Sequence, residues 1–227
     1  MPKPIDLEAF LDKTFFAIDT FFLLSDIEDF IDFSESNIDW HKRREIRHKE
    51  IECADENFDD PREAAQFHAQ MIDSVLYRFE VSLTQRVRYA ALVSLITTIE
   101  WVLLSLKGRS GFKIQKKSSG TSDAVHLLSQ FNQAASVGLS SEIQVIETLV
   151  QVRNCIVHAA GLFGSYKHGL ELRQRLTAYN GIRVSDINHL GDAIEIEQNH
   201  LQRVVENVKR WLPNLEDAMQ TKGLLRK

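Results

Sequence analysis

The chain has 227 residues, 44% of them hydrophobic, which is enough to bury a core in one domain or in one domain with an extension. Its net charge of −5 argues against a generally basic nucleic-acid coat protein, although a local basic site is compatible with an acidic total. The two cysteines, Cys53 and Cys155, have no CxxC spacing and imply no disulfide framework.

The first sixty residues predict a helical N-terminal extension, 1–60. Residues 4–33 carry apolar and acidic side chains at helical spacing, which predicts one or two amphipathic helices. The chain starts without a basic segment followed by an apolar run, and Phe21 to Leu24 is too short to cross a bilayer. We therefore expect a cytoplasmic protein.

A charged stretch, Trp40 to Glu52, closes this extension. His41, Glu45, His48 and Glu52 share one helix face, a spacing that suits a metal-dependent hydrolase. The surrounding Lys and Arg side chains repel a cation, and Glu45 with Lys49 has the spacing of a simple ion pair, so a solvated helix is the preferred interpretation. The same basic run suits contact with phosphates.

The second predicted domain covers 61–227 and begins with Asp60 as an N-cap and Pro61 at the first helical position. The run from Thr84 to Lys107 is apolar nearly all round, which predicts a central buried helix. Glu100 interrupts it, which argues against a membrane span. A carboxylate there needs a cation or several donors; Arg153 is one candidate, and an ion pair elsewhere is the alternative.

A loop rich in Gly, Ser and Lys follows, at residues 108–123, without the spacing of a phosphate-binding P-loop. Two interpretations stay open for it: it grips a nucleic-acid backbone, or it is a solvated turn. Its four basic residues are the candidate nucleic-acid-binding residues: Arg109, Lys113, Lys116 and Lys117.

The remaining elements complete an all-α prediction. We expect Ser122 or Asp123 to cap a helix that ends at Ala135, and Ser140 to cap a helix that runs to about Ala159. Residues 162–196 lose helical order, but 181–187 and 193–197 alternate as a small β-hairpin. A last helix covers 197–211, and Pro213 ends or kinks it.

One stretch, ETLVQVRNCIVHAAG, carries the best candidate for a chemical site. Asn154 and His158 are four positions apart and share a helix face, whereas Arg153 and His158 lie about 140° apart around the axis. Arg153 and His158 converge if the helix frays near Gly161, or if two copies of the chain meet across a two-fold axis.

These residue types suit RNA cleavage. Histidine takes or gives a proton near neutral pH, and arginine holds a phosphate through a permanently charged fork. No metal is then required, and the product is a 2′,3′-cyclic phosphate. The alternative is that Arg153 and His158 are cations placed near a helix C-terminus, where the helix dipole favours them.

The segment LVQVRNCIVHAAG resembles the signature of the HEPN superfamily of helical nucleotide-binding domains: Arg, a polar residue, then His after four to six intervening positions. The long apolar helix with a glutamate, the hairpin insertion and the closing helix are similar too. The resemblance covers about residues 61–215. It implies a HEPN-like helical bundle and a homodimer through the motif helices.

The resemblance further implies a metal-independent endoribonuclease without cofactor, in a toxin–antitoxin or antiphage defence setting with an antitoxin or regulatory protein as partner. Arg153 and His158 would be catalytic, Asn154 would orient, and Glu100 stands where many members have an acidic residue. One toxin subfamily has a Tyr two residues after the His, whereas this chain has Ala160. The alternative function is an inactive helical dimer that binds RNA, a nucleotide or a partner protein.

Overall fold

A computed structural model describes residues 7–56, 58–186 and 191–226, with side chains from residue 19 onward. Its helices are α1 (Leu7–Asp55), α2 (Pro61–Leu76), α3 (Thr84–Arg109), α4 (Asp123–Ala135), α5 (Ser140–Ala159), α6 (Gly169–Leu176) and α7 (His200–Thr221). A π-helical segment, Tyr77–Leu83, joins α2 to α3, and a 3₁₀ turn covers Phe163–Ser165. Helices therefore dominate the described residues, which confirms the all-α prediction.

The chain divides into two compact units. The larger unit comprises Met1–Glu28 and Leu92–Lys227, and the smaller unit comprises Asp29–Ala91. The break predicted at residue 60 is present between the end of α1 and the start of α2, but both sides of it belong to the smaller unit. The division into 1–60 and 61–227 is thus a different division from the compact units.

Helix α3 supplies much of the core of the larger unit, as its composition predicts. Among the described residues, the helical stretch Pro61–Arg109 is the one segment long and apolar enough to cross a membrane. The side chains on its α3 part are nevertheless fully buried inside the protein, as in the core helix of a globular domain: Leu92, Leu95, Ile96, Ile99, Val102, Leu103 and Leu106.

The predicted hairpin is confirmed. Strand β1 (Ile182–Ser185) pairs with β2 (Ala193–Ile196) in antiparallel register, with Ile182 opposite Ile196. Both of these isoleucines are buried, whereas Arg183 and Glu195, one register step along, form an ion pair at 2.7 Å. The alternation of buried and polar positions is what the sequence pattern requires.

Two predictions about the C-terminal third are wrong. The region predicted to lack helical order contains α6, which begins where Gly169 lets the Phe163 carbonyl approach; a Cβ at Gly169 would lie 2.0 Å from that oxygen. Helix α7 does not end at Trp211 but continues through Pro213 to Thr221. Its apolar stripe extends past the proline with Leu215 and Met219, both fully buried, and this burial outweighs the hydrogen bond that proline removes.

The predicted caps are confirmed at two helices and wrong at a third. Asp60 accepts a hydrogen bond from the backbone N–H of Arg62 at 2.8 Å, and Ser122 accepts one from Val125 at 3.2 Å. Ser140, in contrast, is the first residue of α5, and its N-cap position is Leu139, whose side chain makes no capping bond. The carboxamide of Asn132 instead fixes the preceding turn by accepting from the backbone N–H of Leu139 at 2.8 Å.

Candidate active site

Helix α5 presents the three motif residues of the candidate site. Its apolar face, with Leu149, Val152 and Cys155, is buried. Arg153 and Asn154 are half-buried at the edge of that face, and His158 is exposed in the last turn. Burial raises the pKa of the Cys155 thiol to about 11, so this cysteine is a neutral core side chain at physiological pH.

The end of α5 is closed rather than frayed. Ala160 adopts the left-handed conformation with φ of 52°, and the N–H of Gly161 donates to the carbonyl of Cys155 at 3.2 Å. The helix therefore keeps its geometry through Ala159, and Arg153 and His158 stay about 140° apart in one chain. Of the two routes to their convergence that the sequence suggests, fraying is excluded.

Arg153 forms an ion pair with Glu100, the first of the two candidate partners for that carboxylate. Its Nη2 donates to Glu100 Oε1 at 2.6 Å, which joins α5 to α3. The two side chains are 23% and 26% exposed, so the pair is reached by solvent. A pair of this kind contributes about 1 kcal/mol or less to stability, and its main effect is to fix the guanidinium in one orientation.

The Nε of the same guanidinium is buried and has no hydrogen-bond partner among the described residues. A buried donor left without an acceptor costs about 1–3 kcal/mol. A ligand reaches only the 23% of the Arg153 side chain that is exposed, and arginine forks match phosphate oxygens.

Tyr166 joins the four candidate site residues, Arg153, Asn154, His158 and Glu100, and the sequence analysis missed it. The Asn154 side chain hydrogen-bonds the hydroxyl of Tyr166, which follows the 3₁₀ turn. Burial is the main cause of the raised pKa of Tyr166, while the hydrogen bond from Asn154 and the charge of Arg153 oppose that rise.

Exposed apolar side chains follow both members of the ion pair along their own helices. Val157 lies one helical turn after Arg153, and Leu104 lies one turn after Glu100. Together with Trp101, these side chains are roughly half exposed. Clustered exposed apolar side chains of this size commonly mark an interaction surface.

The basic loop after α3 is only partly available as a cationic surface. Arg109 donates to the buried Glu216 of α7 at 2.8 Å, and Lys117 pairs with Asp123 at 2.7 Å. Lys113 and Lys116 are exposed. Two of the four candidate nucleic-acid-binding residues therefore already have a carboxylate partner.

The metal alternative on α1 finds no support in the geometry. His48 lies 3.3 Å from Glu52, and Lys49 pairs with Glu52 rather than with Glu45 as predicted. Across residues 7–56, 58–186 and 191–226, no group of three or more His, Cys, Asp or Glu side chains is arranged to hold a metal ion.

Comparison with models of known protein families, with curated proteins and with solved structures gives no match. The function is therefore proposed from the geometry of the site and from the resemblance of its motif.

Proposed function

We propose that the chain is a metal-independent endoribonuclease of HEPN type that acts as a homodimer. In this proposal, Arg153 of one protomer and His158 of the other share one RNA phosphodiester. The observation that carries it is the guanidinium of Arg153, oriented by Glu100 and partly exposed, on the same helix as the exposed His158.

The chemistry follows from the residue types. The neutral imidazole of His158 takes the proton of the ribose 2′-OH, and the 2′-oxygen attacks phosphorus. The guanidinium of Arg153 stabilises the pentacovalent phosphate, whose charge exceeds that of the diester. The 5′-oxygen leaves with a proton from solvent, and the products are a 2′,3′-cyclic phosphate and a 5′-hydroxyl. Glu100 and Asn154 position Arg153 and the phosphate, respectively.

The homodimer is supported by two features of the larger unit. The intact end of α5 keeps Arg153 and His158 apart in one chain, so a shared site needs a second copy. The exposed Trp101, Leu104 and Val157 supply an apolar surface around the ion pair that a two-fold contact would bury. A role in defence or in a toxin–antitoxin pair belongs to the same proposal and rests on the resemblance alone.

The first experiment incubates the purified protein with total RNA in EDTA and analyses the new ends. We expect cyclic phosphates from the wild type and a loss of at least about 100-fold in rate for His158→Ala. The matched control is His68→Ala, which removes an exposed histidine of α2 and should leave the rate unchanged. Cleavage that persists in His158→Ala contradicts the proposal.

A mixing experiment tests the shared site. Arg153→Gln and His158→Ala are each expected to be inactive, but their mixed dimer has one complete site. After subunit exchange, we expect about a quarter of the wild-type rate, because half of the dimers are mixed and each has one of two sites. No recovery in a mixture shown to exchange subunits would mean that the two residues do not act across an interface.

The second candidate function is an RNA- or nucleotide-binding dimer without catalysis. The ion pair favours it, because Glu100 neutralises much of the charge that Arg153 would offer to a phosphate. RNA binding by the wild type with no cleavage at any protein concentration, and with the dimer intact, would establish this function instead.

A further inference from the structure

The smaller unit contains a groove that the proposed function does not use. It lies between the second half of α1 and the π-helical segment, with a volume of about 590 Å³. Its charged lining comes from His41, Arg44, Glu45, His48, Lys49 and Arg78. Glu45 is the one carboxylate in that lining, so the groove is locally basic although the chain is acidic.

Two of these cations are available to a ligand. Within the described part of the chain, Arg44 and Arg78 form no ion pair, whereas their neighbours Lys42 and Arg43 pair with Asp39. The guanidinium of Arg44 lies over the ring of Trp40 at 5.7 Å, and that of Arg78 lies over Phe79 at 5.4 Å. Both guanidiniums therefore keep their N–H groups free for an anion while their positions are fixed by an aromatic face.

An exposed tryptophan lies beside Arg44, next in sequence to the lining residue His41. Trp40 is 56% exposed in the most highly charged part of α1, where the apolar core gives no reason for an indole. The ring of His41 stands edge-on to it at 4.7 Å. An exposed ring next to one free guanidinium, beside a groove that holds a second one, is a combination that can stack a base and hold its phosphates.

The other wall of the groove is an irregular helix. The π-helical segment buries Phe79 and turns Arg78 outward, and Thr84 Oγ1 donates to the carbonyl of Phe79 at 2.7 Å. Lys42 on α1 donates to Glu80 at 2.9 Å and ties the two walls together. Segments of π-helix are uncommon and frequently occur at functional sites.

We propose that this groove binds single-stranded nucleic acid, with Arg44 and Arg78 on the backbone phosphates and Trp40 stacked on a base. The inference goes beyond the proposed function, because it requires no cleavage and uses none of the residues of the candidate active site. Chains of either sugar fit it, since neither stacking nor phosphate contact reads the 2′-OH.

The test uses fluorescence anisotropy of a fluorescein-labelled (dT)12 oligonucleotide with the full-length protein. This probe lacks the 2′-OH that the proposed cleavage attacks, so binding is measured independently of any ribonuclease activity. We expect Arg44→Gln/Arg78→Gln to weaken binding at least 10-fold and to lower the slope of log K against log salt by about 1.4, as for two lost phosphate contacts.

The matched control is Arg62→Gln/Arg210→Gln, which removes the same charge from two exposed arginines outside the groove lining. Trp40→Ala should weaken binding about 10-fold, whereas Trp40→Phe keeps a stacking ring and most of the affinity. Circular dichroism checks that each variant folds.

The groove is not the site if the wild type fails to bind (dT)12 at low salt, or if the control variant weakens binding as much as Arg44→Gln/Arg78→Gln. Binding through the groove by a protein that cleaves no RNA would support this inference and contradict the proposed ribonuclease. Cleavage of RNA without binding of (dT)12 would support the proposed ribonuclease and contradict this inference.

Discussion

Two arginine–glutamate pairs join α3 to other helices of the larger unit, and they differ in burial. Arg109, the last residue of α3, pairs with Glu216 of α7, whose side chain is 5% exposed. Glu100, in the middle of α3, pairs with Arg153 of α5, and each of these side chains is about a quarter exposed. The residue types are the same and the two arginines are similarly exposed, at 28% and 23%, but only the second pair has a carboxylate open to solvent.

The Arg109–Glu216 pair therefore stabilises the fold, whereas the Arg153–Glu100 pair belongs to the candidate site. A buried carboxylate without its cation is strongly destabilising, so the first pair cannot release its arginine. The second pair contributes little to stability, and one buried N–H of Arg153 has no partner in the part of the chain that the structure describes. Sequence alone does not distinguish the two pairs, because each joins residues far apart in the chain.

The largest expected effect is on stability at the first pair. Arg109→Met leaves Glu216 buried without its cation and should lower the free energy of unfolding by about 3–5 kcal/mol. Urea unfolding at pH 7 measures it, with Arg153→Met as the matched control, expected to lose about 1 kcal/mol or less. Equal losses in the two variants would remove the distinction. Arg109→Met/Glu216→Leu should regain most of the stability.

The next effect is on activity at the second pair and depends on the proposed function. Arg153→Gln should lower the rate of RNA cleavage by about 100-fold or more, because it removes a charged donor to the transition state. Its unfolding midpoint should stay near that of the wild type. Arg109→Gln gives the opposite result, a less stable protein with an unchanged rate per folded molecule. An active Arg153→Gln would show that this arginine is structural.

A further ionisable group extends the comparison, because His200 is buried and its Nε2 has no hydrogen-bond partner among the described residues. Burial, together with the charge of Arg203, lowers its pKa from 6.5 to about 4. As the pH falls below about 6.5, the unfolded chain binds a proton at His200, whereas the folded protein binds it only when the pH approaches 4. The stability that depends on a neutral His200 is therefore fully present above pH 6.5 and decreases as the pH falls towards 4.

By pH 5 we expect this histidine to cost about 2 kcal/mol of stability. The measurement is urea unfolding of the wild type and of His200→Gln at pH 7 and pH 5. The variant should lose less stability between the two pH values than the wild type does. His168→Gln, which removes an exposed histidine, should keep the wild-type dependence. A parallel loss in the wild type and His200→Gln would assign the acid sensitivity to other groups.

The smallest effect is expected at Glu100. Glu100→Gln keeps the charge of Arg153 but removes its anchor, so stability should change by about 1 kcal/mol or less. Cleavage should slow about 10-fold, with the loss in kcat and an unchanged KM, because a mispositioned group affects the transition state. Glu171→Gln, at an exposed carboxylate, is the control. A changed KM with normal kcat would place Glu100 in substrate binding instead.

Local signals in the sequence predicted the parts of the fold that depend on neighbouring residues. The start of α4 follows from Ser122, and the hairpin follows from the alternation in 181–187 and 193–197. The end of α7 could not be predicted in this way. Pro213 is a stop signal by itself, and only the burial of Leu215 and Met219 against the rest of the unit overrides it.

The residues of the candidate site also divide into those that the local sequence predicts and those that it does not. Arg153, Asn154 and His158 are readable as a motif, because their spacing is local. Tyr166 is not, because it reaches Asn154 only after the left-handed turn at Ala160 and the 3₁₀ turn that follows. The pairing of Glu100 with Arg153 was one of two alternatives, the other being an ion pair elsewhere, because an apolar helix indicates that its carboxylate needs a cation but not which cation.

The groove also depends on the number of residues in the π-helical segment Tyr77–Leu83. Each residue of an α-helix turns the chain by about 100°, so removing one residue from this segment would rotate α2 by that angle relative to residues 84–91 at the start of α3. Val75 and Phe79, both buried, would leave the core side of the smaller unit, and Arg78 would leave the groove. Deletion of Ser82, which does not line the groove, would therefore remove the groove while keeping each of its lining side chains.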